Sequence, residues 1–353
     1  MPHKGHIEVP RFCQMHDHWR EGEMFESVAP HMGLCLYTVP MPNLKEPITS
    51  RDMASLYEKQ LVATKSKSGP RYLMTIQVTP DTDSKEIRLA RDHFWALKIL
   101  PLGVTTNSKH GIEDFSDQNF LKVIKMAGKC DKATLIHCQG KTPNPLDGEE
   151  AMLGIVEKLI TRYPKDQRFV LEHFSTEAGI AMVKRLRKQG FSVGMTLTLH
   201  GALKTICDTF GSDGQRDPFL KVQPPLQISK NRDAVFEAMM EAEAGTMKGR
   251  DCAAHPEEAK LKGWDEAPSG IFTPDEVDIP LTYWLFQEYG GKKWRERFER
   301  FVRGNAIKFH TLANIPSKPV RLVKEDWEVC VPTFPIVVRP FMQGEILHYR
   351  LAS

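Results

Sequence analysis

The chain has 353 residues, of which 41% are hydrophobic and 26% charged. A chain of this length buries roughly 75% of its unfolded surface, so a staple-dependent miniature fold and a mainly disordered chain are both excluded. Its 48 basic and 45 acidic residues leave a formal net charge of +3, too small to make nucleic acid a main partner.

No apolar run approaches the ~18 residues that span a bilayer, so no membrane partner is expected. The opening residues, MPHKGHIEVPR, carry no apolar signal region. Seven cysteines are an odd number, and no CxxC pair is present. Free thiols in a reducing compartment follow, and the expected location is the cytoplasm.

In chain order, β-type runs ending in polar residues occupy 7–18, 33–43, 71–80, 94–100, 133–138, 168–173 and 191–200, with a weaker eighth at 245–251. Helical patterns lie between them. Residues 147–163 place Met152, Ile155, Val156, Leu159 and Ile160 at i, i+3, i+4 spacing behind an expected Asp147/Glu150 cap. Residues 176–189 and 231–244 read similarly. Strands alternating with helices predict a parallel sheet, and eight such units predict a (β/α)₈ barrel. A doubly wound sheet shares the alternation, but the chain has neither GxGxxG nor GxxxxGK[ST]. Residues 317–353 are Pro-punctuated and β-rich, and read as a small C-terminal extension packed on a barrel of residues 1–316.

A parallel barrel carries its chemistry at the carboxyl ends of its strands. Strand one ends in His16-Asp17-His18, strand four carries Lys98, strands five and six end at His137 and His173, and strand eight ends at Asp251. Residues i and i+2 of a strand share a face, so His16 and His18 can reach one ion while Asp17 points away. Four imidazoles and a carboxylate exceed one catalytic zinc site, so two ions ~3.5–4 Å apart are the more natural reading. An ammonium beside two cations is repelled, whereas a Lys98 carboxylated by CO₂ becomes a bridging anion. Blander roles are open to each residue alone. Lys98 could snorkel, Asp251 could cap the helix that follows, Arg20 could be a surface charge, and Asn43 could make a turn.

MHDHWREGEM (15–24), VPMPNLKEPIT (39–49), ALKILPLGVTTNSKHG (96–111), LIHC (135–138), FVLEHFST (169–176) and GRDCAAH (249–255) together resemble the amidohydrolase superfamily. More narrowly they are similar to its monofunctional dihydroorotases, and weaker similarity runs along nearly the whole chain. The resemblance implies two Zn²⁺ per subunit. His16, His18 and Asp251 would hold one, His137 and His173 the other, and carboxylated Lys98 would bridge them. It also implies that Arg20, Asn43 and His255 bind a substrate carboxylate, that Thr105 and Thr106 lie on a closing loop, and that Asp251 shuttles a proton. The implied reaction is reversible cyclisation of N-carbamoyl-L-aspartate to L-dihydroorotate, the third step of pyrimidine synthesis. A homodimer is expected only because dimers are the commonest assemblies. In places the chain departs from the pattern. Arg250 adjoins the proposed acid, Gln139 stands where some relatives have an acidic residue, and Gln223 and Gln227 flank Pro-Pro-Leu where related cyclic amidases often have Asn and Arg. Two alternatives stay open: another cyclic amidase of hydantoinase or allantoinase type, and a non-catalytic barrel acting as a pathway scaffold.

Overall fold

The computed structural model describes residues 5–63 and 69–352; the outermost parts of the two expected units, residues 1–4 and 353, lie outside the described residues. The strands are β1 (Ile7–Val9), β2 (Cys13–His18), β3 (Tyr37–Pro40), β4 (Arg71–Tyr72), β5 (Thr75–Gln77), β6 (Ala96–Ile99) and β7 (Ala133–His137). They continue with β8 (Phe169–Glu172), β9 (Val193–Leu197), β10 (Thr246–Lys248), β11 (Cys252–Ala253), β12 (Val320–Glu328) and β13 (Ile346–Leu351). Two parallel sheets run in the orders β11-β2-β3-β4 and β10-β9-β8-β7-β6-β5. β4 and β5 belong to one run of chain, and so do β10 and β11. The two sheets are therefore continuous at both edges and close into an eight-segment barrel.

All five residues of β7 are buried, as expected when helices cover one face of a parallel strand and the barrel interior covers the other. The interior packs Cys13, Met15, Val39, Ala96, Leu135, Val170 and Met247. A larger apolar layer lies between the strands and the surrounding helices. Helices Gly148–Thr161, Glu177–Lys188 and Ser229–Glu241 occupy the three expected helical stretches. Among the described residues, no helix is long and apolar enough to cross a membrane.

Several local expectations need correction. Ile155 is exposed, so the buried stripe of Gly148–Thr161 runs through Met152, Val156, Leu159 and Ile160. Asp147 does not cap that helix with its side chain. A 3₁₀ turn over Pro145–Asp147 precedes it, and Asn144 accepts from the backbone N–H of Leu146 instead. The seventh run is strand only to Leu197, because Thr198 caps the short helix Leu199–Leu203. The eighth breaks between β10 and β11 around Gly249-Arg250-Asp251.

That eighth segment looks weakly apolar for a physical reason. Met247 faces the barrel interior, whereas Lys248 and Arg250 point outward to the acidic face of helix Asp275–Tyr289. Lys248 Nζ lies 2.8 Å from Asp278, and Arg250 reaches Asp275 at 2.6 Å. Arg250 also grips both oxygens of Asp17, at 3.0 and 2.8 Å. A buried polar belt thus closes the barrel. β1, β12 and β13 form a separate antiparallel sheet, with β13 against helix Asp275–Tyr289 through the Tyr283–Tyr349 ring pair, 5.1 Å between centroids.

Candidate active site

Strand parity brings the ionisable residues together. Ala96 and Lys98, Leu135 and His137, and Val170 and Glu172 each lie on one inward face, apolar below and polar at the carboxyl end. In β2 the register slips between Gln14 and Asp17, so Met15 and His16 both turn inward. Past the slip, His16 and His18 face the mouth while Asp17 pairs with Arg250 outside. His173 and Asp251 turn in just beyond their strands, with φ of 42° and 48°. Arg20 is also left-handed, at 64°. Non-glycine residues in this region carry strain of order 1–3 kcal/mol each and concentrate at functional sites.

One ligating atom each from His16, His18 and Asp251 lies within 4.8 Å of the others. Asp251 Oδ1 is 3.3 Å from His16 Nε2 and 3.2 Å from His18 Nε2. His137 Nδ1 and His173 Nε2 face each other at 3.0 Å, and the His16 and His173 rings are 4.9 Å apart. Lys98 donates to Glu172 Oε2 at 2.5 Å, and the same oxygen contacts His16 Nδ1. All six expected metal-binding residues therefore converge on one mouth of the barrel.

The electrostatics favour cation ligation. Burial pushes His18 down to about 4, against the pull of Asp251. Burial and the Lys98 charge push His137 down to about 3, and burial with the neighbouring imidazoles holds His173 well below its usual range. Three imidazoles are thus held neutral, as a metal ligand must be. His16 is the exception. Burial opposes its charge, but Glu172 and Asp251 outweigh burial and raise its pKa. Glu172 sits at about 2 despite burial because His16 and Lys98 hold its anion, and burial lowers Lys98. Buried neutral imidazoles, a carboxylate held well below its usual range at Asp251, and nitrogen donors aimed at one another fit a pair of borderline divalent cations.

The expected substrate residues surround the same opening. His18, Arg20, Asn43, Thr105, Thr106 and Asp251 line one pocket. Arg20 Nε donates to the Ala254 carbonyl at 2.8 Å, and a terminal nitrogen lies 3.1 Å from His255 Nε2. Burial, reinforced by Arg20 and Lys260, pushes His255 down to about 2, leaving it a neutral partner. Among the described residues, no carboxylate forms an ion pair with Arg20. Asn43 donates to the Thr106 carbonyl at 3.1 Å, and Asn107 donates back to the Asn43 carbonyl at 3.0 Å. The segment carrying Thr105 and Thr106 is thus hydrogen-bonded to Asn43 at the pocket wall.

Sequence reading passed over three residues. Glu172 is fully buried, and its parity with the inward Val170 is a signal that an acid at that position faces the barrel mouth. Gln139 and Gln223 stand out in sequence only as departures from the pattern, yet their side chains are hydrogen-bonded to each other at 2.6 Å beside His137. Cys13, Cys138 and Cys252 are buried free thiols, and burial raises each of their pKa values.

No protein-family model matches the chain. It is 30% identical to the mitochondrial dihydroorotase of Arabidopsis thaliana over 344 residues, covering 95% of this chain and 88% of that one. Its structure resembles a Saccharomyces cerevisiae dihydroorotase crystallised with 5-fluoroorotic acid, with a TM-score of 0.88, 25% identity and 98% of both chains covered. L-Hydantoinase from Arthrobacter aurescens shares the fold alone, with a TM-score of 0.81 at 16% identity over 98% of this chain and 83% of the other. An amidohydrolase barrel with this mouth, and sequence identity sustained over nearly its whole length, make the chain a member of the dihydroorotase family.

Proposed function

We propose that the protein is a dihydroorotase that interconverts N-carbamoyl-L-aspartate and L-dihydroorotate, the third step of pyrimidine synthesis. The reading is supported most strongly by Arg20, a half-buried guanidinium without a carboxylate partner among the described residues, which lines the same pocket as His18 and Asp251. A half-buried guanidinium bonded to a carbonyl and a neutral imidazole, facing the pocket, suits an anion, and the substrate carboxylate supplies it as a bidentate partner. Hydantoin and allantoin carry no such group.

His16, His18 and Asp251 would hold one Zn²⁺ and His137 and His173 the other, with carboxylated Lys98 between them. Bound there, the two ions supply Lewis acidity for the ring carbonyl and lower the pKa of water. The chain's own residues do the rest. Arg20, Asn43 and His255 orient the carboxylate and so fix the ring. The loop carrying Thr105 and Thr106 closes over it and excludes bulk water. In the hydrolytic direction water adds to the ring carbonyl carbon, Asp251 accepts the water proton on its carboxylate, and the ring C–N bond breaks. Asp251 then returns the proton to the departing nitrogen, acting as base and then acid. Cyclisation reverses these steps. Residues 1–316 form the catalytic unit and 317–353 an extension packed on it. A cytoplasmic homodimer is the setting proposed, since twofold dimers are the commonest assemblies of soluble enzymes.

The test is a substrate panel with the purified protein. Turnover of dihydroorotate and carbamoyl aspartate, with hydantoin and allantoin at least ~10³-fold slower, is expected. Comparable hydrolysis of hydantoin would overturn carboxylate recognition.

A further inference from the structure

Beyond the proposed ligand set, a chain of hydrogen bonds runs from His137 into the substrate pocket. His137 presents Nδ1 to His173 and turns Nε2 to Gln139 Oε1 at 3.0 Å. Gln139 is buried, and its Nε2 donates to Gln223 Oε1 at 2.6 Å. Gln223 in turn lines the pocket with Arg20 and Asn43. The stem of Gln139 lies close against Gly148, where an added Cβ would stand 3.0 Å from its Cγ and 2.9 Å from the Gly140 carbonyl. Gly140 N–H donates to the Gly148 carbonyl at 2.8 Å, tying the turn after β7 to the start of helix Gly148–Thr161.

The direction of this chain matters. The Gln139 amide nitrogen is engaged by Gln223, so the oxygen faces His137, and an amide oxygen can only accept. This amide orientation requires the His137 proton on Nε2 and leaves the lone pair on Nδ1, the atom that faces His173. The reverse amide orientation would place an N–H against Nε2, drive the proton to Nδ1 and point it at the cation site. An imidazole cannot ligate through a protonated nitrogen.

We propose that Gln139 and Gln223 are positioning residues. Gln139 fixes His137 as the Nε2–H tautomer with Nδ1 free for an ion, and Gln223 fixes the orientation of Gln139 while forming part of the substrate pocket wall. This rests on the two-ion reading above. Outer partners of this kind are worth roughly 10–100-fold in metal affinity.

The experiment is a zinc titration of chelator-stripped protein, with circular dichroism to confirm folding. Wild type is expected to bind two ions. Gln139→Leu keeps the side-chain bulk but removes the acceptor, and is expected to weaken one of the two sites roughly 10-fold or more, leaving the other within about threefold. Gln139→Glu keeps an acceptor and is expected to retain both sites. Gln223→Leu, which frees Gln139 to flip, is expected to fall between. A packing role alone would not separate the Leu from the Glu variant. If wild type binds two ions and folded Gln139→Leu binds both equally well, the positioning role is overturned and the metal reading survives. If wild type binds fewer than two, the metal reading fails, and this inference fails with it. Should Gln139→Leu not fold, Gln223→Leu decides in the same way, with wild-type affinity at both sites overturning the inference.

Discussion

Gly249 leaves room for the proposed metal ligands by having no side chain. A Cβ built there would lie 2.7 Å from Thr196 Cβ, 3.1 Å from Thr196 Oγ1 and 3.2 Å from His16 Cβ. The two carbons are side-chain stems rather than flexible tips, so backbone must move. Thr196 Oγ1 also accepts the His173 backbone N–H at 2.8 Å, and His173 already holds a left-handed φ of 42°. Gly249→Ala therefore pushes on His16 directly and on His173 through the hydroxyl that anchors its backbone. Overpacking of this kind costs about 1–3 kcal/mol. At about 2 °C per kcal/mol for a chain of this size, Tm is expected to fall by roughly 2–6 °C. Zinc content and turnover are expected to fall with it. Gly154→Ala is the control. It lies in helix Gly148–Thr161 with nothing within 4 Å of where a Cβ would sit, and is expected to gain about 0.5–1 kcal/mol with metal content unchanged. A Gly249→Ala protein that melts, binds zinc and turns over like wild type would refute the steric reasoning.

Arg20→Met removes the cation but keeps much of the stem. It is expected to lower kcat/KM for dihydroorotate by about 10²–10³-fold, mainly through KM, from the loss of charged hydrogen bonds of about 1.5–3 kcal/mol each. Zinc content should be unchanged, and an unaltered KM would contradict the role. In chelator-stripped protein, where Lys98 is an unmodified ammonium, Glu172→Gln removes the anion from a fully buried pair with Lys98, and a loss of about 3–5 kcal/mol is expected in thermal or urea unfolding. Lys260 is pushed down to about 7 by burial and by Lys221. Below pH 7 it is protonated folded and unfolded, so the full penalty of burying the cation is present. From pH 7 toward 10.5 the unfolded state binds more protons, so stability rises. The Tm difference between Lys260→Met and wild type should therefore shift in favour of wild type between about pH 7 and 9.5, and a pH-independent difference would contradict that.

The legible part of the site was what strand parity and strand ends determine. His16, His18, Lys98 and His137 stand at inward positions of short apolar runs, and such runs are the strongest local signal in a parallel barrel. Hydrogen bonds that join distant segments were not legible. Arg250 looked misplaced beside Asp251, because its partners Asp17 and Asp275 are 233 and 25 positions away. The slip in β2 leaves no mark in sequence, since Gln14, Met15, His16 and Asp17 are all buried and nothing in their order says which of them face inward. Lys248 adds to the weak apolar character of the eighth run, although helix Asp275–Tyr289 covers it with Asp278. Gln139 and Gln223 are 84 positions apart, and neither residue type announces a partner. Position along a strand was thus readable, but closure of the barrel and the outer hydrogen bonds depended on tertiary packing.

The most direct measurement is the number of divalent ions bound per chain in purified, active protein and in Lys98→Ala. Two ions in the wild type, with at most one and little turnover in the variant, is the expected result. A fully active wild type free of bound metal, or two tightly held ions after Lys98 is removed, would contradict the convergence of these six side chains on a cation pair.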